Sequence, residues 1–107
     1  MTLLSYDEFI METSTALDGL TSFYKLLSNR SRLAIVLELR SGEANVAELC
    51  HRTGLSQTLV SHQLAALRNA DILRVRRAGK HTYYQLADEH ITTIVGYALE
   101  HLGEREV

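Results

Sequence analysis

The sequence predicts a mainly helical domain that carries one small β-hairpin. Two observations predict this class. Apolar residues recur at spacings of three and four over most of the chain, and there is no proline to interrupt a helix. After Ile72 the pattern changes to an alternation of every second residue, which is typical of strands. A length of 107 residues fits one compact domain, so we expect residues 1–107 to form a single unit.

The composition narrows the classes of protein to consider. No run approaches the roughly eighteen apolar residues of a membrane-spanning helix, and the first residues, which include Asp7 and Glu8, lack the basic start of a signal peptide. A single cysteine, Cys50, excludes a disulfide framework or a cysteine-rich metal cluster within one chain. We therefore expect a cytoplasmic protein without a membrane partner, in which any metal chemistry uses histidines and carboxylates.

Charge is segregated along the chain. The net charge of −2, averaged over all residues, argues mildly against a nucleic-acid partner. Between residues 68 and 81, however, the only acidic residue is Asp71, and the basic residues are Arg68, Arg74, Arg76, Arg77 and Lys80. Such a stretch is either a solvated surface or a surface for a polyanion, and its structural context decides between the two.

The first part of the chain predicts helices that build a core. Residues from about 6 to 27 have the mixed three- and four-residue apolar spacing of one or two amphipathic helices. Ser28 and Asn29 are both good N-caps for a second, more apolar helix, which Ser41 and Gly42 end. We expect this second helix to lie largely in the core.

The middle of the chain predicts a helix-turn-helix. Asn45, followed three residues later by Glu48, resembles a capping box and opens a short helix. Gly54 breaks this helix, and Ser56 caps the next one. Two short helices joined by a tight glycine turn are a helix-turn-helix signature. Cys50 stands four residues before the turn glycine, where packing between crossing helices is a simpler role for it than chemistry.

The end of the chain predicts a wing and a helix that packs against a partner. Two alternating segments, 72–77 and 81–86, flank the turn at 78–80 and form a β-hairpin. Asp88 can cap a last helix whose apolar stripe is too hydrophobic to leave in water. The predicted fold is therefore a winged helix-turn-helix, and we expect its N-terminal and C-terminal helices to form a homodimer. The stripe consists of Ile91, Ile94, Val95, Ala98, Leu99 and Leu102.

The helix-turn-helix and the basic stretch together predict an interface for operator DNA. A recognition helix presents short polar side chains to base edges, and the helix after Ser56 carries such side chains. The basic residues of the hairpin would contact phosphates, which adds affinity but little sequence information. Each residue taken alone could equally be an ordinary exposed polar group. The proposed base readers are Ser56, Gln57, Thr58, Ser61, His62 and Gln63, and the proposed phosphate contacts are Arg68, Arg74, Arg76, Arg77 and Lys80.

The last helix also carries a candidate metal site formed by Asp88, His90, His101 and Glu104. Imidazole and carboxylate are suitable ligands for zinc. His90 and His101 share a helix face but stand roughly 16 Å apart along the axis, so one ion cannot contact both within a chain. Two antiparallel copies of the helix would bring Asp88 and His90 of one beside His101 and Glu104 of the other, giving two equivalent sites. Two histidines on an amphipathic helix could also simply be solvated.

These segments resemble the ArsR/SmtB family of metal-responsive repressors. The resemblance covers nearly everything from about residue 20 to 104, and it rests on residues 26–33 (LLSNRSRL), 55–64 (LSQTLVSHQL) and 77–86 (RAGKHTYYQL). It implies that Asp88, His90, His101 and Glu104 form the zinc-sensing site, because they match the family's last-helix motif position by position. It also implies a coupling route from His101 to the backbone near Asp71.

The chain departs from the members of that family that sense arsenic, cadmium or lead through cysteines. Residues 41–46 (SGEANV) stand where those members have a Cys-x-Cys pair, so the soft-metal site is missing. Cobalt or nickel remains an alternative to zinc as the regulatory ligand, since both accept similar ligands. A family member with a vestigial site is a second alternative, although a dithiol redox switch would need a second cysteine. An enzyme is not expected, because four protein ligands leave no open position for an activated water.

Overall fold

The computed structural model of the chain describes the backbone of residues 6–104 and the side chains of residues 14–104. In chain order the elements are helix α1 (Tyr6–Leu27), helix α2 (Arg30–Leu39), helix α3 (Val46–Thr53), helix α4 (Gln57–Asn69), strand β1 (Leu73–Ala78), strand β2 (His81–Leu86) and helix α5 (Glu89–Glu104). The mainly helical class with one hairpin is confirmed. The start of the chain, on which the expectation about a signal peptide rests, lies outside the described residues.

Local capping explains where the helices begin. The Asn29 side chain accepts a hydrogen bond from the backbone N–H of Arg32, which starts α2. Asn45 and Glu48 form the expected reciprocal capping box at the start of α3. Ser56 caps α4, and Asp88 Oδ1 accepts from the backbone N–H groups of His90 and Ile91 at the start of α5.

The helix-turn-helix is formed by α3 and α4. Gly54 ends α3 in the left-handed conformation, with φ of 75°, and its N–H bonds to the carbonyl of Cys50. The core beneath the motif draws on three helices, α2, α3 and α4. Its largest fully buried side chains are Ile35, Val36, Leu49, Val60, Leu64 and Leu67. Cys50 is half-buried and packs against this core, as predicted.

The wing is a two-stranded antiparallel sheet that pairs Leu73 with Leu86 at its base and Ala78 with His81 at its tip. Ala44, in the loop between α2 and α3, extends one edge through two backbone hydrogen bonds with Tyr84, of 3.0 and 2.9 Å. The wing is therefore attached to the helical body at its middle as well as at its base.

The two terminal helices leave apolar side chains in solvent. On α1 these are Leu17, Leu20 and Tyr24, and on α5 they are Ile94, Tyr97, Leu99 and Leu102. Part of this surface forms an apolar groove of about 420 Å³ between the end of α1, α2 and α5. Within residues 6–104, no helix is both long and apolar enough to cross a membrane.

Candidate nucleic-acid interface and metal centre

Helix α4 and its N-cap present all but one of the side chains that the sequence assigns to base reading. Its inward face holds it to the core, with Val60, Leu64 and Leu67 buried. Its outward face and its N-terminus are exposed, and the Ser56 hydroxyl accepts the capping hydrogen bond from Leu59 N–H at 3.1 Å. The exposed candidates are Ser56, Gln57, Thr58, Ser61, His62 and, near the end of the helix, Arg68.

Gln63 does not belong to this exposed set, and its assignment to base reading is wrong. Its side chain is only 4% exposed. Positions 60, 63, 64 and 67 follow the three- and four-residue spacing of one helix face, so Gln63 lies on the inward face. The same spacing, read in the sequence, could have identified it. Its amide bonds to Asn29, Ser31 and Arg32 instead.

Strand alternation divides the basic residues of the wing between two faces. Arg74 and Arg76 share one face, whereas Arg77 lies on the other face with Val75. Arg74 lines a surface groove that also includes residues at the start of α5. All the wing's proposed phosphate contacts are exposed, so exposure alone does not distinguish among them.

Arg76 is already engaged by an acidic partner. Its Nε donates to Glu43 Oε2 at 3.1 Å and its Nη2 donates to Oε1. These bonds lower the pKa of Glu43 and raise that of Arg76. Within the described part of the chain, Arg68, Arg77 and Lys80 form no ion pair, in contrast to Arg76.

A polar groove between α4 and the wing adds two residues that sequence reasoning did not single out. Ser61 and Arg68 line it together with Asn69 and Tyr84. Tyr84 comes to this position because it pairs with Val75 on the face of the hairpin that packs on the body. The strand register, once assigned, is the signal that could have found it.

Helix α5 separates the four candidate metal ligands into two pairs. Asp88 and His90 lie at its start, with His90 Nδ1 3.4 Å from Asp88 Oδ1. His101 and Glu104 lie in its last turn. Over the described residues of one chain, no three His, Cys, Asp or Glu side chains come together in a group that could hold a metal ion.

The chemistry of each pair still suits a divalent ion. All four side chains are exposed, and the His90 side chain is 90% exposed. Asp88 uses Oδ1 to cap the helix, and its second carboxylate oxygen can serve as a ligand. On a helical wheel at about 100° per residue, His90, His101 and Glu104 lie along one flank of the exposed apolar stripe. Each pair therefore offers two candidate ligands, at opposite ends of α5.

Comparison with known proteins agrees with this architecture. Residues 29–75 match the family model described as "Bacterial regulatory protein, arsR family". The HTH-type transcriptional regulator NmtR of Mycobacterium tuberculosis is 36% identical over 88 residues, covering 82% of this chain and 73% of that protein. A transcriptional repressor SmtB homolog of Synechocystis is 33% identical over 87 residues, covering 81% of this chain and 66% of that protein.

Solved structures resemble the whole described fold. The homodimeric winged helix-turn-helix DNA-binding domain Mb0332 of Mycobacterium bovis superimposes with a TM-score of 0.79 at 28% identity, covering 98% of this chain and 93% of that chain. NolR of Sinorhizobium fredii gives a TM-score of 0.75 at 28% identity, covering 94% and 95%. The relatives from Mycobacterium tuberculosis and Synechocystis are named as transcriptional regulators, not as enzymes, and Mb0332 is described as a possible ArsR-family transcriptional regulator. The chain therefore belongs to the ArsR family of bacterial regulatory proteins.

Proposed function

We propose that this chain is a cytoplasmic, homodimeric repressor that binds operator DNA and releases it when zinc binds at sites shared between the two subunits. The proposal treats residues 1–107 as one winged helix-turn-helix domain whose terminal helices form the dimer. The observation that carries it is the division of four candidate metal ligands between the two ends of one exposed helix, α5, beside an apolar face.

Dimerisation is supported by the apolar surface of α1 and α5. Exposed large hydrophobic residues on both helices lie around one groove, which a second copy of the chain would cover. The relative from Mycobacterium bovis is described as homodimeric. In an isologous two-fold contact, the start of α5 in one subunit can meet the end of α5 in the other.

Metal responsiveness is supported by the relatives and by the donor set. The relatives include repressors named SmtB and a cadmium resistance regulatory protein, the CadC homolog of Staphylococcus aureus, which is 38% identical over 86 residues. Here Asp88 and His90 of one subunit would bind zinc with His101 and Glu104 of the other. Two imidazoles and two carboxylates fit a closed tetrahedral site. Zinc would supply a positive charge that cross-links the subunits.

Linkage relates DNA release to the affinity of the metal for the free and the DNA-bound dimer. A metal that weakens DNA binding must bind the free dimer more tightly than the DNA-bound dimer. The route from His101 to the backbone near Asp71, which the family resemblance implies, belongs to the same proposal. Cobalt is an alternative effector with the same ligands, whereas nickel prefers six ligands and would need additional ones from the chain ends.

The decisive experiment titrates zinc, cobalt and nickel separately into a preformed complex of the protein with an operator selected from random duplexes. Fluorescence anisotropy would follow DNA release and its metal stoichiometry. We expect release at two zinc ions per dimer, loss of the response in His101→Ala, and a normal response in the matched control His51→Ala. If no ion releases DNA from the wild-type protein, the vestigial-site alternative is correct.

A further inference from the structure

A partly buried polar network joins α4, the recognition helix, to the C-terminal end of α1, one of the two helices proposed to form the dimer interface. Its centre is Gln63 on α4, the residue that the sequence assigned to DNA and the structure places inside. The Gln63 amide oxygen accepts from Arg32 Nε at 2.8 Å. Its amide nitrogen donates to Asn29 Oδ1 at 3.2 Å and lies 3.1 Å from Ser31 Oγ. Both ends of the amide are therefore satisfied.

Arg32 extends the network to α1. Its Nη1 donates to the backbone carbonyl of Leu26 at 3.2 Å, at the C-terminal end of α1. The guanidinium is a rigid planar fork, so one side chain holds the Leu26 carbonyl and the Gln63 amide in a fixed mutual geometry. Tyr24, one of the exposed apolar residues of α1, lies only two residues before Leu26.

The network also includes the start of α2. Asn29 Oδ1 accepts from Arg32 N–H and from Ser31 Oγ, each at 3.0 Å, while it receives the Gln63 amide. The same oxygen caps α2 and holds α4. In the described part of the chain, every buried side-chain polar atom has a hydrogen-bond partner, so the buried Gln63 amide is fully paired. The network favours one arrangement, because a shifted arrangement would leave this buried amide unpaired.

We propose that Gln63 and Arg32 are positioning residues for DNA recognition. They hold α4 at a fixed place relative to α1, so that the two recognition helices of a dimer match one half-site spacing. Apolar packing alone permits small sliding movements, whereas directional hydrogen bonds to a rigid fork do not. The inference rests on the dimeric DNA-binding function proposed above and is independent of zinc.

Half-site spacing is the property that such a link controls. Dimeric helix-turn-helix proteins bind half-sites about one helical turn, roughly 34 Å, apart. A displacement of α4 relative to the interface helix is repeated by the two-fold axis in the second subunit. Looser attachment of α4 therefore broadens the range of spacings that the dimer accepts, while phosphate contacts remain.

The test measures spacing preference in the metal-free protein. The probes are an operator selected by the wild-type protein and two derivatives with one base pair inserted or deleted between the half-sites. We expect the wild type to prefer the selected spacing strongly, and Gln63→Met to reduce that preference roughly tenfold. Affinity for random duplexes should stay unchanged, and sedimentation should show an intact dimer.

Val60→Ala is the matched control, because Val60 is fully buried on the same helix but outside the network. It should lower the melting temperature and keep the spacing preference. Arg32→Lys, which retains the charge but not the fork, should reduce the preference in the same direction. If Gln63→Met does not fold, the spacing preference of Arg32→Lys tests the proposal in its place. In the double variant, the loss should equal that of one substitution, because both residues act through one network.

Three results would overturn the inference. The first is a folded, dimeric Gln63→Met, or Arg32→Lys in its place, that keeps the full spacing preference. The second is an equal loss in Val60→Ala, which would mean that any loosening of the core has this effect. The third is a wild-type protein that binds as a monomer or accepts all spacings equally, and this result alone would also reject the proposed dimeric function.

Discussion

Arg76 on the wing and Glu43 in the loop between α2 and α3 form a two-point ion pair, with Arg76 Nε 3.1 Å from Glu43 Oε2. The guanidinium carbon also lies 4.7 Å from the centre of the Tyr83 ring. Glu43 thus occupies two donors of Arg76, a residue that the sequence proposes as a phosphate contact. An exposed pair contributes little to stability, so its main consequence concerns the charge available to DNA.

The first prediction is that Glu43→Gln strengthens DNA binding on all sequences. The substitution frees Arg76 for a phosphate, and each added phosphate contact steepens the plot of log affinity against log salt by about 0.9. Anisotropy titrations at several salt concentrations would measure the slope. Glu100→Gln, an exposed position on α5, makes the same change in net charge away from the wing. Equal slopes in the two variants would contradict the prediction.

The second prediction concerns pH. The hydrogen bond from Arg76 is the largest influence on the pKa of Glu43 and lowers it; desolvation opposes this shift, and the charge of Arg76 adds a smaller lowering effect. A carboxyl whose pKa is lowered by folding stabilises the fold above its unfolded pKa, and this contribution is lost as the pH falls through the folded pKa. The pair is therefore intact at neutral pH and breaks only in acid.

A carbon-detected NMR titration of the Glu43 carboxyl would check this. The midpoint should lie below the ordinary value for glutamate and should rise toward it in Arg76→Ala. The same midpoint in both proteins would show that Arg76 does not lower the pKa of Glu43.

The third prediction separates base reading from phosphate contact. Arg77→Ala and Lys80→Ala should weaken binding to operator and random DNA alike and flatten the salt dependence, because their charges are unpaired within the described residues. Arg76→Ala should have a smaller effect. Gln57→Ala or Ser61→Ala should instead reduce discrimination between sites by about 1 to 3 kcal/mol. Equal losses on every sequence from Gln57→Ala and Ser61→Ala, as from the arginine and lysine variants, would contradict the distinction between base readers and phosphate contacts.

Local signals explain why so much of the fold could be predicted. The caps at Asn29, Asn45, Ser56 and Asp88 each act within three residues of the helix that they start. The left-handed turn at Gly54 and the alternation of the hairpin are equally local. Such features depend on neighbours in the sequence, and a sequence displays those neighbours directly.

The contacts that the sequence did not predict join distant segments. Glu43 and Arg76 are 33 residues apart, and Arg32 and Gln63 are 31 residues apart. Their meeting depends on how α2, α4 and the wing pack, which no local pattern encodes. Gln63 is a polar residue on the inward face of α4. Its residue type suggested a contact with DNA, whereas the periodicity of the helix placed it in the core. Periodicity was the better guide, because the backbone fixes the direction of a side chain.

The fourth prediction concerns the type of metal ligand. Cobalt added to the protein should give a tetrahedral ligand-field spectrum without a thiolate charge-transfer band, because the proposed set contains only nitrogen and oxygen donors. Cys50 packs against the core, so the Cys50→Ala variant should give the same cobalt spectrum as the wild type. A strong sulfur band that disappears in that variant would move the site to Cys50.

The fifth prediction tests whether each metal site is shared between subunits. The two histidines of α5 are separated by three helical turns, roughly 16 Å, so one ion cannot contact both within a chain. The experiment mixes a His90→Ala chain with a His101→Ala chain and confirms subunit exchange by mass spectrometry. In either homodimer both sites lack one histidine. In the heterodimer, one site keeps both its histidines and the other site lacks both.

One tightly bound zinc per heterodimer is therefore expected, against none in either homodimer, when calorimetry measures the stoichiometry. Mixing two chains that both carry His90→Ala provides the control, because exchange then restores no complete site. The recovered site must come from His90 of one chain and His101 of the other, since no single chain in the mixture contains both. If exchange takes place and no tight site is recovered, the ligands are not shared, and any metal is held within a single chain.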